Sequence, residues 1–368
     1  MWLGDGRLGA RMAKGAAKGA ALAGSLALAA ACSTGPGQGG DDEPDAAKAR
    51  EALKAVTAAP TTPSAGAVDF RQATPGSGRG LKLGYISLGE NVPFGKLVSD
   101  GVRKQAAAAG AQLVFCDSKG DAATALDCVR NFKTQGVQGY LNFQPDSKAA
   151  ASICQAGPQV PVIGIDIHQP PCERAFMGAD NANAGYLAGK ALGRYFKQVF
   201  DCEYDAFVSM EQPEAGEVNQ ARMDGQRKGF TEECGQIKNL KQVNAFRIDN
   251  ARTTFTDVLT SLPGAKRIVV AAINDDAILG ALAAARTAGR QNDLYMAGQG
   301  ADPSAHCEIS KNSHWVADTA YFPERYGEIG VPYLIDLIKG KDVPKRLYVK
   351  HTIINSSNIG AFYKPSGC

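Results

Sequence analysis

Short apolar runs alternate with longer amphipathic stretches from about residue 81 onward. Each apolar run is nearly continuous, which is typical of strands that helices cover on both faces. Alternation of strand and helix predicts parallel sheets with right-handed crossovers, and the length of the pattern exceeds one sheet. We therefore predict an α/β chain with two doubly wound parallel-sheet lobes. The predicted strands are 81–86, 112–116, 139–143, 160–165, 205–210, 241–247, 267–272, 294–298 and 316–320, and the predicted helices are 94–109, 121–134, 147–156, 183–198, 217–233, 250–261 and 274–288.

Residues 1–31 have the pattern of a cleavable signal peptide. Basic side chains end at Lys18, and the apolar run from Ala20 to Ala31 is too short to cross about 30 Å of hydrocarbon. The run leads into Cys32 through a motif that resembles a bacterial lipobox. This resemblance implies that Cys32 carries a lipid, which would anchor the protein to the cell membrane on its extracytoplasmic side. The alternative is an ordinary secretory signal followed by a chance cysteine.

Residues 32–80 differ in composition from the rest of the chain. They are rich in Gly, Pro, Ala, Thr and Asp, and they offer little apolar surface to bury. Such a composition predicts a flexible tether between the lipid and the folded lobes, within which 46–58 could form a short helix.

The cysteine count agrees with export. Nine cysteines are present, and lipidation of Cys32 would leave eight, an even number that fits four disulfides in an oxidising compartment. Eight cysteines allow 105 connectivities, so the sequence does not determine the pairing, and buried free thiols are the alternative. We favour pairs of sequential neighbours, which are Cys116–Cys128, Cys154–Cys172, Cys202–Cys234 and Cys307–Cys368.

Charge and motif content exclude several classes of function. Residues 1–31 hold four of the 40 Lys and Arg residues and one of the 37 Asp and Glu residues, so the remainder of the chain is neutral and nothing favours a nucleic-acid partner. Phosphate-binding loops, nucleophile elbows and zinc-binding His pairs do not occur in the sequence, and the four histidines are scattered. We therefore expect neither an enzyme nor a resident cofactor or metal.

Polar and aromatic residues follow the predicted strands, where the carboxyl ends of parallel strands form ligand sites. Asp, Asn and Arg groups can satisfy adjacent hydroxyl pairs of a sugar, and aromatic rings can cover its C–H faces. The set therefore predicts a cleft for a small sugar or polyol. Its members are Asn91, Phe94, Asn142, Phe143, Gln144, Asp146, Asp166, His168, Glu211, Arg222, Asn274, Asp275, Asp276, Gln299, Asp302, Tyr321 and Phe322.

With these residues after its strands, the chain resembles the periplasmic sugar-binding proteins of the ribose-binding type, the solute receptors of ABC importers. The resemblance covers about 81–368 and rests on six segments in family order. They are Asn91-Val-Pro-Phe94, Phe143-Gln-Pro-Asp146, 160–166, Gly178-Ala-Asp180-Asn181, Arg222 with Gly229-Phe230, and Asn274-Asp275 with Gly280-Ala281.

The resemblance implies roles for individual residues. Phe94 would stack on the sugar, Asp166 would accept from its hydroxyls, and Arg222 and Asn274 would donate from the second lobe. Tyr321 stands where the family places a polar hinge contact. Asp146, His168 and Asp302 complete the expected ligand-binding set, and Asp180, Asn181 and Phe322 would lie at the hinge.

The resemblance also implies a domain organisation. The first lobe would comprise 81–181 and 322–352, and the second would comprise 182–321 and 353–368. Three chain crossings would form a hinge, and the closed receptor, a monomer, would deliver its ligand to the permease of an ABC transporter.

Several alternatives stay open from the sequence. Phe94 could serve the core alone, Asp146 could only cap a helix, and Arg222 could form a surface ion pair. Asn274 is also a natural helix cap, and a structural role is the commoner one for a residue such as His168. The positions where this chain departs from the family include Ile167, where Arg is frequent, and Gly300, where an acid is frequent, so the ligand remains open. Two alternative functions remain. The chain could be a membrane-tethered hydrolase of glycosides or esters, or it could be a receptor of the same fold for a nucleoside or signal molecule.

Overall fold

A computed structural model describes residues 45–59, 63–365 and 368 of the chain. Within them, the strands form two six-stranded sheets, each flanked by helices, which confirms the predicted pair of doubly wound α/β lobes. The predicted signal peptide, Cys32 and the first part of the predicted tether lie outside the described residues.

The first lobe is built on an all-parallel sheet. Its strand order is β2-β1-β3-β4-β5-β11, and helices α2, α3, α4 and α10 belong to it. The strands are β1 (Lys82–Ser87), β2 (Gln112–Asp117), β3 (Gly139–Asn142), β4 (Val162–Ile165), β5 (Glu173–Gly178) and β11 (Arg346–Tyr348), and the helices are α2 (Pro93–Ala109), α3 (Ala122–Thr134), α4 (Ala150–Ala156) and α10 (Gly327–Ile338).

The second lobe repeats this plan with one antiparallel edge strand. Its order is β7-β6-β8-β9-β10-β12, in which β12 runs antiparallel to β10. The strands are β6 (Ala206–Glu211), β7 (Leu240–Asn244), β8 (Ile268–Ala272), β9 (Leu294–Gly300), β10 (Trp315–Ala320) and β12 (Thr352–Ile354), and the helices are α1 (Ala46–Ala58), α5 (Asn181–Phe200), α6 (Glu217–Cys234), α7 (Ile248–Ser261), α8 (Asp275–Thr287) and α9 (His306–Lys311).

The chain passes three times between the sheets. It leaves the first sheet after β5 for α5, returns after β10 for α10, and crosses again between β11 and β12. Strands β5, β11 and β12 were missing from the prediction, because β5 begins with charged Glu173 and Arg174 and the other two strands have three residues each. Such short or mixed segments lack the apolar run by which the other strands were recognised.

The segment before β1 packs against the body of the protein, so the flexible tether expected over 32–80 is wrong for residues 45–59 and 63–80. Helix α1 does form, and Ala52, Leu53 and Val56 bury its apolar stripe in the core of the second lobe. Further on, the amide of Val68 donates to the carbonyl of Tyr348 at 2.9 Å. The stripe consists of only three residues within a polar segment, so the sequence pattern did not predict that it would pack against the core.

Four disulfides join the eight described cysteines. The pairs are Cys116–Cys128, Cys154–Cys172, Cys202–Cys234 and Cys307–Cys368, which confirms the pairing of sequential neighbours. Each disulfide therefore joins segments of one lobe, so none of the four links the two sheets.

Helices α5 and α6 approach each other closely along glycines. A Cβ atom on Gly185 would stand 2.0 Å from the carbonyl oxygen of Arg222, and one on Gly189 would stand 1.9 Å from that of Gln226. Real atoms do not approach so closely, so glycine is required for this crossing. The crossing places the Arg222 turn of α6 beside the first turn of α5. Among the described residues, no helix is long and apolar enough to span a membrane.

Candidate functional site

The predicted site residues gather where the carboxyl ends of both sheets face each other across the hinge. Phe94 from α2 packs against Tyr321, which follows β10 of the second lobe. The charge of Arg222 in the second lobe acts on the Asp166 carboxyl in the first. The two lobes therefore present one shared crevice.

The first lobe contributes an aromatic cluster. Phe94 is half-buried in the first turn of α2, which Pro93 begins, a position that tolerates proline because its missing N–H would have no partner there. Its ring centroid lies 6.3 Å from that of Phe143 and 5.7 Å from that of Tyr326, both in edge-to-face geometry. Phe94 therefore packs in the core of the first lobe, and its stacking on a ligand stays a prediction.

Asp166 stands directly after β4 with a φ of 53°, in the left-handed region. Its Oδ1 atom accepts hydrogen bonds from the Ala179 amide at 3.1 Å and from the Tyr326 hydroxyl at 3.2 Å. A Cβ atom on Gly178 would stand 2.1 Å from that oxygen, so glycine makes room for the carboxyl. Burial raises the pKa of Asp166 to about 6, against the opposing effects of these hydrogen bonds and of Arg222.

Arg222 is held in a defined orientation on the second lobe. Its Nε donates to Asn181 Oδ1 at 2.8 Å, and its Nη1 donates to the Ile273 carbonyl at 3.2 Å. The guanidinium carbon lies 5.0 Å from the ring centroid of Tyr321. The predicted hinge residue Asn181 thus orients the predicted ligand-binding arginine, and the surface ion pair considered as an alternative is not formed in the described part of the chain.

Tyr321 has two partners, Gln299, which the sequence analysis noted at a strand end without assigning it to the ligand, and His351, which it missed. Its hydroxyl donates to Gln299 Oε1 at 3.1 Å, and its ring centroid is 5.0 Å from that of His351. His351 Nδ1 lies 3.2 Å from the Ala320 carbonyl, which can only accept, so the proton is on Nδ1. Burial lowers the pKa of His351 to about 4, so its ring is neutral. Gln299 is the penultimate residue of β9, and that position was its one available signal.

A group of buried carboxyls supports the turn after β9. Asp275 Oδ2 accepts from the Asp302 amide at 2.6 Å, and Asp318 Oδ1 accepts from the Ala301 amide at 2.9 Å. Asp318 Oδ2 also accepts from Trp315 Nε1 at 3.1 Å, which gives Trp315 a packing role. These bonds hold Asp302 at the crevice end of the second sheet.

The same carboxyls bind protons more tightly than ordinary aspartates. Burial, with the neighbouring charge of Asp318, raises the pKa of Asp275 well above its usual value, and the two carboxyls share a hydrogen bond. Burial raises the pKa of Asp318 to about 7. Burial, together with the charges of Asp275 and Asp276, raises the pKa of Asp302 to about 8.

Asn274 both caps a helix and faces the crevice end of β8. Its side-chain oxygen accepts from the Ala277 amide at 3.0 Å, the capping role considered in the sequence. That bond uses the oxygen, so the NH₂ group is the part of Asn274 that could donate to a ligand.

Two predicted site residues form contacts with residues close to them in the chain. Asp146 is exposed, and its side chain accepts from the Lys148 amide at 2.9 Å to cap a short turn. The His168 side chain is exposed and pairs with Glu173 at 2.8 Å. Both side chains therefore have local partners on the first lobe, and their contact with a ligand stays a prediction.

The predicted hinge residues lie at the crossings between the sheets. Asp180 caps α5 by accepting from the Asn183 amide at 3.1 Å. Phe322 follows β10 with a φ of 55°, and its ring centroid is 5.8 Å from that of Phe70. Among the described residues, no cluster of His, Cys, Asp or Glu has the arrangement of a metal site.

Comparisons with known proteins agree with this architecture. The sequence profile of the family described as periplasmic binding protein domain matches residues 84–342. The chain therefore belongs to this family, which confirms the resemblance seen in its motifs. The chain is 25% identical over 259 residues to the ribose import binding protein of Escherichia coli (strain K12). The aligned region covers 69% of this chain and 83% of that protein.

Solved structures show the same fold. A periplasmic ribose ABC transporter protein from Conexibacter woesei DSM 14684 superposes with a TM-score of 0.67 at 19% identity, covering 78% of this chain and 95% of that one. A solute binding protein of an ABC transporter from Bacillus halodurans C-125, with bound myo-inositol, superposes with a TM-score of 0.63 at 19% identity, covering 80% and 98%.

Proposed function

We propose that this chain is an extracytoplasmic receptor that captures a small sugar or polyol between its lobes and delivers it to the permease of an ABC transporter. One observation carries the proposal. A single crevice joins the aromatic cluster of Phe94, Phe143 and Tyr326 to the polar groups of Arg222 and Asn274 on the opposite lobe. Aromatic faces and directed polar groups are the two surfaces that a sugar needs.

Binding would act through the hinge. A ligand that touches Phe94 and Asp166 on one lobe and Arg222 and Asn274 on the other makes all its contacts only when the lobes are closed. It therefore shifts the population toward the closed form, which is the form a permease would recognise. The three chain crossings between the sheets supply the hinge for this motion.

The setting of the receptor is part of the proposal. Four disulfides suit an oxidising compartment outside the cytoplasm. A lipid on Cys32 would tether a monomeric receptor to the membrane, and the ligand would leave the crevice chemically unchanged. The ribose and myo-inositol named for the relatives support a ligand of this chemical class.

A thermal-shift panel tests this function. Purified protein is heated with D-ribose, D-allose, D-glucose, myo-inositol and glycerol, and each sample is analysed afterwards for conversion of the ligand. We expect at least one of these compounds to raise the melting temperature of the parent and to be recovered intact, and to give a smaller shift with Arg222→Ala. Turnover of a glycoside or ester, or a panel without any stabilising sugar or polyol, would contradict the proposal.

A further inference from the structure

The crevice end of the second lobe holds more carboxyl groups than basic side chains. Asp275, Asp302 and Asp318 gather there, and Asp166 faces them from the first lobe. Within the described ranges, Arg222 is the cation whose charge acts on both Asp166 and Asp302. None of the ion pairs within the described ranges involves any of these four carboxyls, although ion pairs are common elsewhere on the molecule.

Three of these carboxyls have evident partners, and one does not. Asp166 accepts from Ala179 and Tyr326, while Asp275 and Asp318 share a hydrogen bond and hold the turn after β9. Asp275 Oδ1 and Asp302 Oδ1 are both buried and have no donor in the described part of the chain, but Asp275 bonds to Asp318 and accepts from the Asp302 amide at Oδ2. A buried carboxylate oxygen without a donor is costly, so Asp302 Oδ1 calls for a donor from outside the protein.

His351 gives independent support for a ligand that donates hydrogen bonds. It is 5% exposed and lies against Tyr321 at the crevice floor. Its Nδ1 carries the proton, so its buried Nε2, which also has no partner among the described residues, is an acceptor. Among the described residues, Gln299 Nε2 and the Tyr363 hydroxyl are the unpartnered buried groups near this site that can donate, and the hydroxyl can also accept. The unsatisfied atoms of the crevice therefore require mainly donors.

We propose that the natural ligand is a polyol that bears a protonated amine, such as an amino sugar or an amino cyclitol, and that its ammonium group binds Asp302. This inference rests on the proposed function and narrows its ligand class. An ammonium group supplies three donors and no acceptor, and it brings the positive charge that a neutral hydroxyl lacks. Hydroxyls on the same ligand would remain for Asp166, Arg222 and Asn274.

The charged surroundings of Asp302 decide how binding depends on pH. Asp275 and Asp276 of α8 and Asp318 of β10 repel its negative charge, and Arg222 of α6 attracts it. His306 of α9 bonds to the neighbouring Ala301 carbonyl, and burial lowers its pKa, which leaves it neutral. Tyr363, which senses the charge of Asp302, has a pKa raised by burial and is also neutral.

The two classes of ligand then give opposite pH dependences. The pKa of Asp302 in the free protein is about 8, so an ammonium ligand must displace its proton, and affinity should rise between pH 6 and pH 7. A neutral ligand that accepts from the protonated carboxyl would show no such rise. Calorimetry in two buffers of different ionisation enthalpy would count the proton released.

The experiment compares matched pairs of ligands by calorimetry on the full chain. The pairs are D-glucosamine with D-glucose, D-galactosamine with D-galactose, D-mannosamine with D-mannose, and an aminodeoxy-inositol with myo-inositol. We expect at least one aminated compound to bind tenfold or more tightly than its parent, with proton release. Asp302→Asn should remove both the preference and the proton release, whereas Asp127→Asn, at an exposed residue of α3 outside the predicted site, should keep both.

The outcomes separate this inference from the function on which it rests. A neutral parent that binds as tightly as its aminated partner overturns the amine assignment and leaves the sugar receptor intact. A preference for the amine that persists in Asp302→Asn overturns the role of Asp302. If none of the sugars, polyols or amines binds, the receptor function itself is contradicted.

Discussion

The two lobes share a fold but bring different surfaces to the crevice. The first lobe presents mainly aromatic rings, and its one carboxyl, Asp166, already accepts two hydrogen bonds. The second lobe presents Arg222 and a buried carboxyl, Asp302, with an oxygen that lacks a partner. From this difference we expect the first lobe to supply contact area for the ligand and the second lobe to select it through directed polar groups and charge.

The largest expected effect concerns the helix crossing that positions the second lobe's polar face. Gly189→Ala would place a Cβ atom 1.9 Å from the Gln226 carbonyl oxygen, so α5 and α6 must separate. We expect a loss of about 1–3 kcal/mol in the free energy of unfolding, measured by denaturant titration. Gly264→Ala is the matched control, because nothing lies within 4 Å of its Cβ position. Equal stability of the two variants would contradict the close crossing.

Removal of the Arg222 side chain should weaken ligand binding with little effect on the stability of the free protein. Arg222→Ala leaves ligand hydroxyls without their donor, and we expect binding of the best sugar or polyol to weaken by about 1–3 kcal/mol in calorimetry. The side chain packs on Tyr321 at the surface of the crevice, so the melting temperature of the free protein should change little. Unchanged affinity would show that the second lobe does not select the ligand through this residue.

Loss of an aromatic ring from the first lobe should weaken ligand binding less than loss of Arg222. Phe94→Ala removes a ring that covers the ligand, and we expect binding to weaken by about 0.5–1.5 kcal/mol, less than for Arg222→Ala. Phe94→Tyr keeps the ring and should keep most of the affinity in the same titration. If Phe94→Ala abolishes binding while Arg222→Ala does not, the proposed roles of the lobes are reversed.

The buried acids predict how stability depends on pH. Folding raises the pKa of Asp318 to about 7 and that of Asp302 to about 8 from an ordinary value of 3.8. The folded state therefore binds protons that the unfolded chain has released, and stability falls as pH rises through this range. Between pH 6.5 and pH 8, His351 is neutral in most folded molecules, with a pKa of about 4, and contributes little.

Thermal denaturation of the ligand-free protein in this window measures the effect. We expect a lower melting temperature at pH 8 than at pH 6.5 and a shallower decline in Asp302→Asn. A melting temperature that rises over the same interval would contradict the protonation of these buried carboxyls.

The sequence was most informative where a local pattern determines the structure. Apolar runs such as 267–272 located the central strands, and Asp166 and Asn274 were found because they directly follow a strand. His351 escaped notice, and the contact of Gln299 with Tyr321 was not predicted, because both contacts join residues far apart in the chain. The contact between His168 and Glu173 could not be predicted, because position after a strand does not reveal which side chain will lie beside the ring.

Small-angle X-ray scattering of the full chain, with and without a sugar, polyol or amino sugar shown by calorimetry to bind, tests the central claim most directly. If one ligand bridges Phe94 and Asp166 to Arg222 and Asn274, the lobes close on it, and the radius of gyration should decrease at saturation. A saturating ligand that leaves the radius of gyration of the parent unchanged would contradict capture between two closing lobes.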